Sequence, residues 1–138
     1  MALNLAVEFS YHERPEVPIR LRHGDTWIDS WAMVDTGAAV SLFDAELGRA
    51  LELTDYERRL SVRGISGAVR QLPASRLDVV VLPEQLRLQA SLIVGFVPGL
   101  GKTTGNLLGR DFLELVDFGL GHQDRLLYLG RRASRRRR

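Results

Sequence analysis

The stretch Trp27-Ile28-Asp29-Ser30-Trp31-Ala32-Met33-Val34-Asp35-Thr36-Gly37-Ala38-Ala39-Val40-Ser41-Leu42-Phe43 is rich in apolar residues up to Val34, breaks at Asp35-Thr36-Gly37-Ala38, and turns apolar again at Leu42. A strand that ends in a tight turn of this kind holds the Asp35 carboxylate clear of the sheet, where it is available for chemistry. The segment occurs once in 138 residues. One carboxylate cannot both withdraw a proton from water and deliver one to a leaving group. If Asp35 is catalytic, a second Asp35 must come from another copy of the chain.

Outward from this turn the pattern is one of short strands. Val17-Pro18-Ile19-Arg20-Leu21-Arg22 alternates Ile19 and Leu21 with charged neighbours, as a half-buried strand does, and a turn at His23-Gly24-Asp25 joins it to a second strand over 26–34. Ala45, Leu47 and Leu51 have helical spacing, with Gly48 against it, so a short helix or turn is expected over 44–53. Residues 60–63 and 68–72 flank Gly64-Ile65-Ser66-Gly67, which is the pattern of a projecting β-hairpin with a mobile, glycine-bracketed tip.

Further strands are expected over 76–82 and 86–94, then a glycine-rich loop over 97–106. Leu107-Leu108-Gly109 leads into a short helix over 110–115, and strands at 116–118 and 126–129 form a closing hairpin. Strands dominate, with one or two short helices. Such spacing predicts a mainly β fold, a small closed β-barrel and not a doubly wound α/β sheet.

The size fits one domain. Hydrophobic residues at 45% and charged residues at 26% exclude wholesale disorder. With no Cys, disulfide frameworks, thiol catalysis and thiolate zinc sites are excluded. His12, His23 and His122 share no ligand spacing, so no metal and no other cofactor is expected. Residues 1–10 carry no basic and apolar leader, and nothing approaches the ~20 apolar residues of a membrane span, so a cytoplasmic location is expected.

The formal charge of +2 hides an asymmetry. Taking the six Arg of residues 131–138 from the 19 basic residues leaves 13 against 17 acidic, a net of −4 for the body. The tail, residues 131–138, reads first as a solvated, disordered terminus and second as an element for nucleic acid or an anionic surface.

With Asp35-Thr36-Gly37-Ala38 and Leu107-Leu108-Gly109-Arg110-Asp111 both placed, residues 17–130 resemble the retropepsin-like aspartic proteases, the retroviral and retrotransposon proteases and their short cellular and bacterial relatives. The resemblance gains force from order: an apolar strand before the triplet, Ser41 after it, a glycine-bracketed hairpin about 30 residues on, then two Leu, a Gly and a short helix. It implies a closed β-barrel of the acid-protease half-domain type. It also implies that Asp35 is the catalytic carboxylate, that Thr36 hydrogen-bonds across a dimer axis, and that Gly37 lets the backbone pass close to substrate.

On the same resemblance Ala38 and the hairpin tip, Gly64, Ile65, Ser66 and Gly67, contact substrate. Leu107, Leu108, Gly109 and Arg110 support the catalytic loop from behind, and residues 1–16 are an N-terminal segment and candidate dimer-interface strand. One position departs from the retroviral pattern: Ala39 stands where an acidic partner for the late Arg is common, so Arg110 needs another partner.

Gly95-Phe96-Val97-Pro98-Gly99-Leu100-Gly101-Lys102-Thr103 echoes a phosphate-binding loop, but the first glycine is out of register. Val116-Asp117-Phe118-Gly119 echoes the triplet without the Thr, and reads as a hairpin edge. The function expected is therefore a homodimeric aspartic endopeptidase acting on protein or peptide substrates. The alternative is a non-proteolytic dimeric peptide-binding or interaction module of the same fold.

Overall fold

The computed structural model describes residues 6–11, 13–64 and 67–131. Ten strands and two short helices follow in the order β1 (Ala6–Ser10), β2 (Glu16–His23), β3 (Thr26–Val34), β4 (Leu42–Asp44), α1 (Ala45–Ala50), β5 (Arg58–Arg63), β6 (Val69–Val81), β7 (Leu88–Val97), β8 (Asn106–Leu108), α2 (Arg110–Leu113), β9 (Val116–Gly121) and β10 (Leu126–Arg131). Short 3-10 turns occupy Glu84–Leu86 and Leu100–Lys102. The fold is mainly β, as the strand spacing predicts. No described helix is long and apolar enough to cross a membrane.

The larger sheet runs β2-β3-β8-β4-β7-β6-β5, and an added β2–β6 pairing closes its first six strands into a barrel, leaving β5 as an outlying arm on β6. Closure removes the unpaired edges that an open sheet would expose. A separate sheet, β1-β10-β9, packs beside it. The core is filled by inward residues of alternating strands: Val17, Ile19 and Leu21 of β2, Val79 and Val81 of β6, Leu88, Leu92, Val94 and Phe96 of β7, and Leu127 and Leu129 of β10. Alternation in β2 and β3 therefore fixes which side chains leave the barrel, and Trp27 and Trp31 are among those outside.

Three local expectations are corrected. Strands expected separately over 68–72 and 76–82 are one continuous β6, in which Pro73 is tolerated because pairing with β7 begins only at Ala74. Asn106 leaves the expected loop and joins β8, parallel to Ala32 of β3. The strand expected from Leu86 begins at Leu88, after Arg87 takes a left-handed conformation at φ 54°. In addition, α2 stops at Leu113, short of the expected 115.

Gly48, which counts against a helix on propensity, sits buried in α1 because the helix is pressed onto the barrel. A Cβ there would lie 2.5 Å from the Tyr56 hydroxyl and 3.2 Å from the Phe96 ring. The helix begins at Asp44, whose carboxylate accepts from Glu46 N–H at 2.9 Å and from Gly101 N–H at 2.6 Å. Those two donors, in that order, hold the Asp44 carboxyl below its ordinary value of 3.8.

At the chain's start, β1 pairs with β10 of its own chain, Val7 opposite Leu129 and Phe9 opposite Leu127, so part of the 1–16 segment belongs to the folded unit. At its end, β10 extends to Arg131, opposite Val116, one residue into the expected tail. Residues 132–138, with the rest of that tail, lie outside the described residues.

Candidate active site

β3 delivers Asp35 to the end of the barrel. Val34 is buried and pairs in parallel with Leu108, and the Asp35 N–H donates to the Leu108 carbonyl at 2.9 Å, so the strand's ladder continues one residue past its last paired position. The chain then turns: Ala38 N–H donates back to the Asp35 carbonyl at 3.3 Å, and Gly37 N–H donates to Asp35 Oδ1 at 2.9 Å. Asp35 is half-buried while Thr36 and Gly37 are exposed. The carboxylate is thus fixed through one oxygen by main chain, while its second oxygen has no protein donor among the described residues.

Behind the turn, Leu107, Leu108 and Gly109 run between β3 and β4. Leu107 lies opposite Met33 on one side and Leu42 on the other, and Leu107 and Leu108 are both buried. Gly109 is the closest approach. A Cβ there would sit 2.7 Å from both the carbonyl carbon and oxygen of Val40 and 2.8 Å from the Ala38 oxygen. Its own φ is −92°, which any residue adopts, so glycine is required here for space and not for conformation.

Hydrogen bonds tie the two segments together. Gly109 N–H donates to Ser41 Oγ at 3.0 Å, and the same hydroxyl donates to Asp111 Oδ1 at 2.7 Å. Ser41 N–H donates to Asp111 Oδ2 at 2.9 Å, and Arg110 N–H to the Ala38 carbonyl at 2.8 Å. Ser41 is fully buried, and its bond from Gly109 N–H is shielded from competing water. Asp111 Oδ1 also accepts from Phe112 N–H at 2.8 Å, fixing the first turn of α2.

The sequence pattern assigns no role to Ser41 or Asp111, although both lie within the motifs. The available signal was a polar residue at the entry to an apolar strand and an Asp in the first turn of a helix. Arg110, left without its acidic partner by Ala39, donates through Nη1 to the Thr36 carbonyl at 3.3 Å. It therefore bridges α2 to the exposed turn.

Beyond the barrel, β5 pairs only with the first part of β6 to form a hairpin. Leu60 lies opposite Leu72, Val62 opposite Arg70 and Arg63 opposite Val69. At its end Gly64 N–H donates to the Ala68 carbonyl and Gly67 N–H to the Gly64 carbonyl, both at 2.9 Å, with Gly67 at φ +82°. Ile65 and Ser66 lie outside the described residues. Leu60 and Leu72 point back at the barrel: a Cβ on Gly95 would meet Leu42 Cδ2 at 2.9 Å, Leu72 Cδ1 at 3.4 Å and Leu60 Cδ1 at 3.7 Å. The structure so brings residues 35–42 and 107–111 together, and holds the hairpin over Leu42.

An open cavity of about 700 Å³ lies between Tyr11, Arg14, Glu16 and Trp31, and Asp35 does not line it. Arg14 and Glu16 in its lining are paired at 3.3 Å. No group of described residues is arranged to hold a metal ion.

No known family description matches this chain, and no curated protein does. Solved structures do match it. One is EIAV protease complexed with an inhibitor, 18% identical, with a TM-score of 0.46, covering 77% of this chain and 90% of that one.

Proposed function

We propose that the chain is an aspartic endopeptidase that works as a homodimer, with the two Asp35 carboxylates, one from each subunit, sharing a single water. The observation that carries this reading is Asp35 itself. Its carboxylate is half-buried at the end of a strand, fixed through Oδ1 by Gly37 N–H, on a turn braced from behind by Gly109, Ser41 and Asp111. A bracing network of this kind is what a reacting group needs, since small misplacements are costly in rate.

Two carboxylates about 3 Å apart cannot both ionise, so the pair shares one proton over a mildly acidic range. The ionised member takes a proton from water as the water oxygen attacks the peptide carbonyl carbon. The protonated member donates a hydrogen bond to that carbonyl oxygen as negative charge builds on it. The proton gained from water then passes to the leaving amine as the C–N bond breaks. Proton and charge balance without a metal ion.

Dimerisation is supported by an exposed apolar strip, Leu115, Phe118 and Leu120, that follows α2. β1 has one edge on its own β10 and leaves its other edge to reach a partner. The β5–β6 hairpin serves as the lid, its glycines permitting tip movement over bound peptide.

The test is cleavage of a fluorogenic peptide library by wild type and Asp35→Asn, with sedimentation of both. Loss of cleavage in a folded, dimeric Asp35→Asn protein is the expected result. Equal activity of the two proteins, or full activity in a monomer, refutes the reading. Binding of peptides by wild type without turnover would favour the interaction module instead.

A further inference from the structure

Between Arg58 and Leu77 the chain carries five Arg and no Asp or Glu. Elsewhere in residues 1–130 there are eight basic residues against 17 acidic. All the basic charge of this segment is on β5 and β6, so the lid is a cationic arm on an anionic body. Four of the body's basic residues are taken up in ion pairs: Arg20 with Asp29 and Glu84, Arg22 with Glu84, Arg14 with Glu16, and Arg49 with Glu46. Arg58, Arg59, Arg63 and Arg70 are exposed, and none pairs with a described carboxylate.

Register separates these four: Arg59 and Arg63 share the outer face with Ser61, Val69 and Gln71, while Arg70, opposite Val62 near the tip, and Arg58, opposite Ala74 at the base, are on the face of Leu60 and Leu72. That is the face whose Leu60 and Leu72 side chains converge on Gly95 and Leu42, at the exit of the Asp35 turn. Arg70 is the next inner-face residue toward the tip after Leu72. Edge protection against strand pairing is served by Arg on either face. Protection alone therefore leaves the inward placement of Arg70 unexplained.

We propose that Arg70 is a specificity-determining residue, which on lid closure meets an Asp or Glu side chain of an extended peptide beside the scissile bond. The inference rests on the protease reading above. Within the closed lid the guanidinium and carboxylate lose water together, and a planar fork of donors matches a carboxylate in two bonds. Outside the arm, residues 1–130 carry eight basic against 17 acidic residues, so the body is net anionic and the arm also orients the approach of such a peptide.

The experiment pairs turnover with binding. Matched fluorogenic peptides carrying Glu, Gln or Lys within three residues of the cleaved bond are offered to wild type, Arg70→Glu and Arg59→Glu. Their binding to Asp35→Asn, with and without each Arg change, is read by fluorescence anisotropy. Wild type should favour Glu over Lys peptides by about tenfold or more in kcat/KM, the scale of one charge-assisted hydrogen bond. Arg70→Glu should reverse that order, and Arg59→Glu, the same charge change on the opposite face, should keep it.

Equal turnover of all three peptides by wild type overturns the inference and leaves the protease reading intact. A Glu preference in binding without any turnover removes the protease reading, and with it the place beside a scissile bond, while the contact of Arg70 with an acidic side chain stands. An equal effect of Arg59→Glu and Arg70→Glu overturns it in favour of a diffuse field. Tighter binding of a single-stranded oligonucleotide than of the Glu peptide, lost in both variants, overturns it in favour of nucleic acid.

Discussion

Replacing Gly109 by Ala adds one methyl group behind the Asp35 turn, where the space is already taken. The new Cβ would lie 2.7 Å from Val40 C and O and 2.8 Å from Ala38 O, against 3.4 Å or more for ordinary contact. All three neighbours are main-chain atoms, which cannot rotate aside as a side chain would. The turn and β8 must separate by roughly 0.7 Å, which strains the Arg110 N–H to Ala38 bond of 2.8 Å and the Gly109 N–H to Ser41 Oγ bond of 3.0 Å. Overpacking of one methyl costs about 1–3 kcal/mol, and each weakened bond up to about 1 kcal/mol.

Against this stands a gain of about 0.4–1 kcal/mol, because Ala restricts the unfolded chain more than Gly. The net loss is about 2–3 kcal/mol, equivalent to a fall in Tm of roughly 10 °C for a domain of this size. Gly119→Ala is the control. It carries the same unfolded-state gain, has no atom within 4 Å of the added Cβ, and has no positive φ. Its Tm should rise by about 2–4 °C, the unfolded-state gain with no packing cost against it. Peptide turnover by Gly109→Ala, measured below its own Tm, should fall about 100-fold if Asp35 is the reacting group, since the turn moves relative to bound peptide. A Gly109→Ala protein that melts within about 3 °C of wild type would refute the packing on which the site is built.

Ser41→Ala leaves the buried Gly109 N–H without its acceptor and removes a donor from Asp111. A loss of about 2 kcal/mol is expected, read as a lower urea midpoint with unchanged slope. The pH dependence of stability should carry a contribution from Asp44. Its folded carboxyl titrates below the ordinary 3.8, so the unfolded state binds the proton more readily, and the stabilisation is complete above that value and lost as pH falls through the lower one. Asp44→Asn should therefore flatten the acid limb of a stability-against-pH curve as pH falls below the ordinary carboxylate range, and an unchanged limb would show that the α1 cap is not coupled to folding.

Much of the fold was written in local pattern. Alternation of Ile19 and Leu21, the apolar run into Val34, and the paired glycines of the hairpin each follow from side-chain periodicity or turn chemistry, which act over a few residues. They gave the mainly β class, the main strands of the barrel and both helices. Where neighbours in space decide, the pattern failed. Strands over 68–72 and 76–82 read as separate, because nothing local reveals that β7 stops short of Pro73 and leaves β6 unbroken there. Asn106 looked like loop because its ladder partner, Ala32, is 74 residues away in sequence.

The site divides the same way. Asp35, Thr36, Gly37, Leu107, Leu108 and Gly109 stand out in the sequence, because a turn and its short motif are contiguous. Only tertiary structure decided what holds them: the fully buried Ser41 joining Gly109 to Asp111, and Arg110 turning to the Thr36 carbonyl in the absence of an acidic residue at Ala39. Likewise, the sequence determined that the hairpin is rich in arginine, but only the register of β5 and β6 put Arg70 on the inner face and Arg59 on the outer. Composition and periodicity are properties of neighbours along the chain. Which hydroxyl meets which carboxylate, and which face a charge takes, depend on how strands pair, and β8 between β3 and β4 brings residues 35–42 and 107–111 together across the intervening α1 and β5–β7.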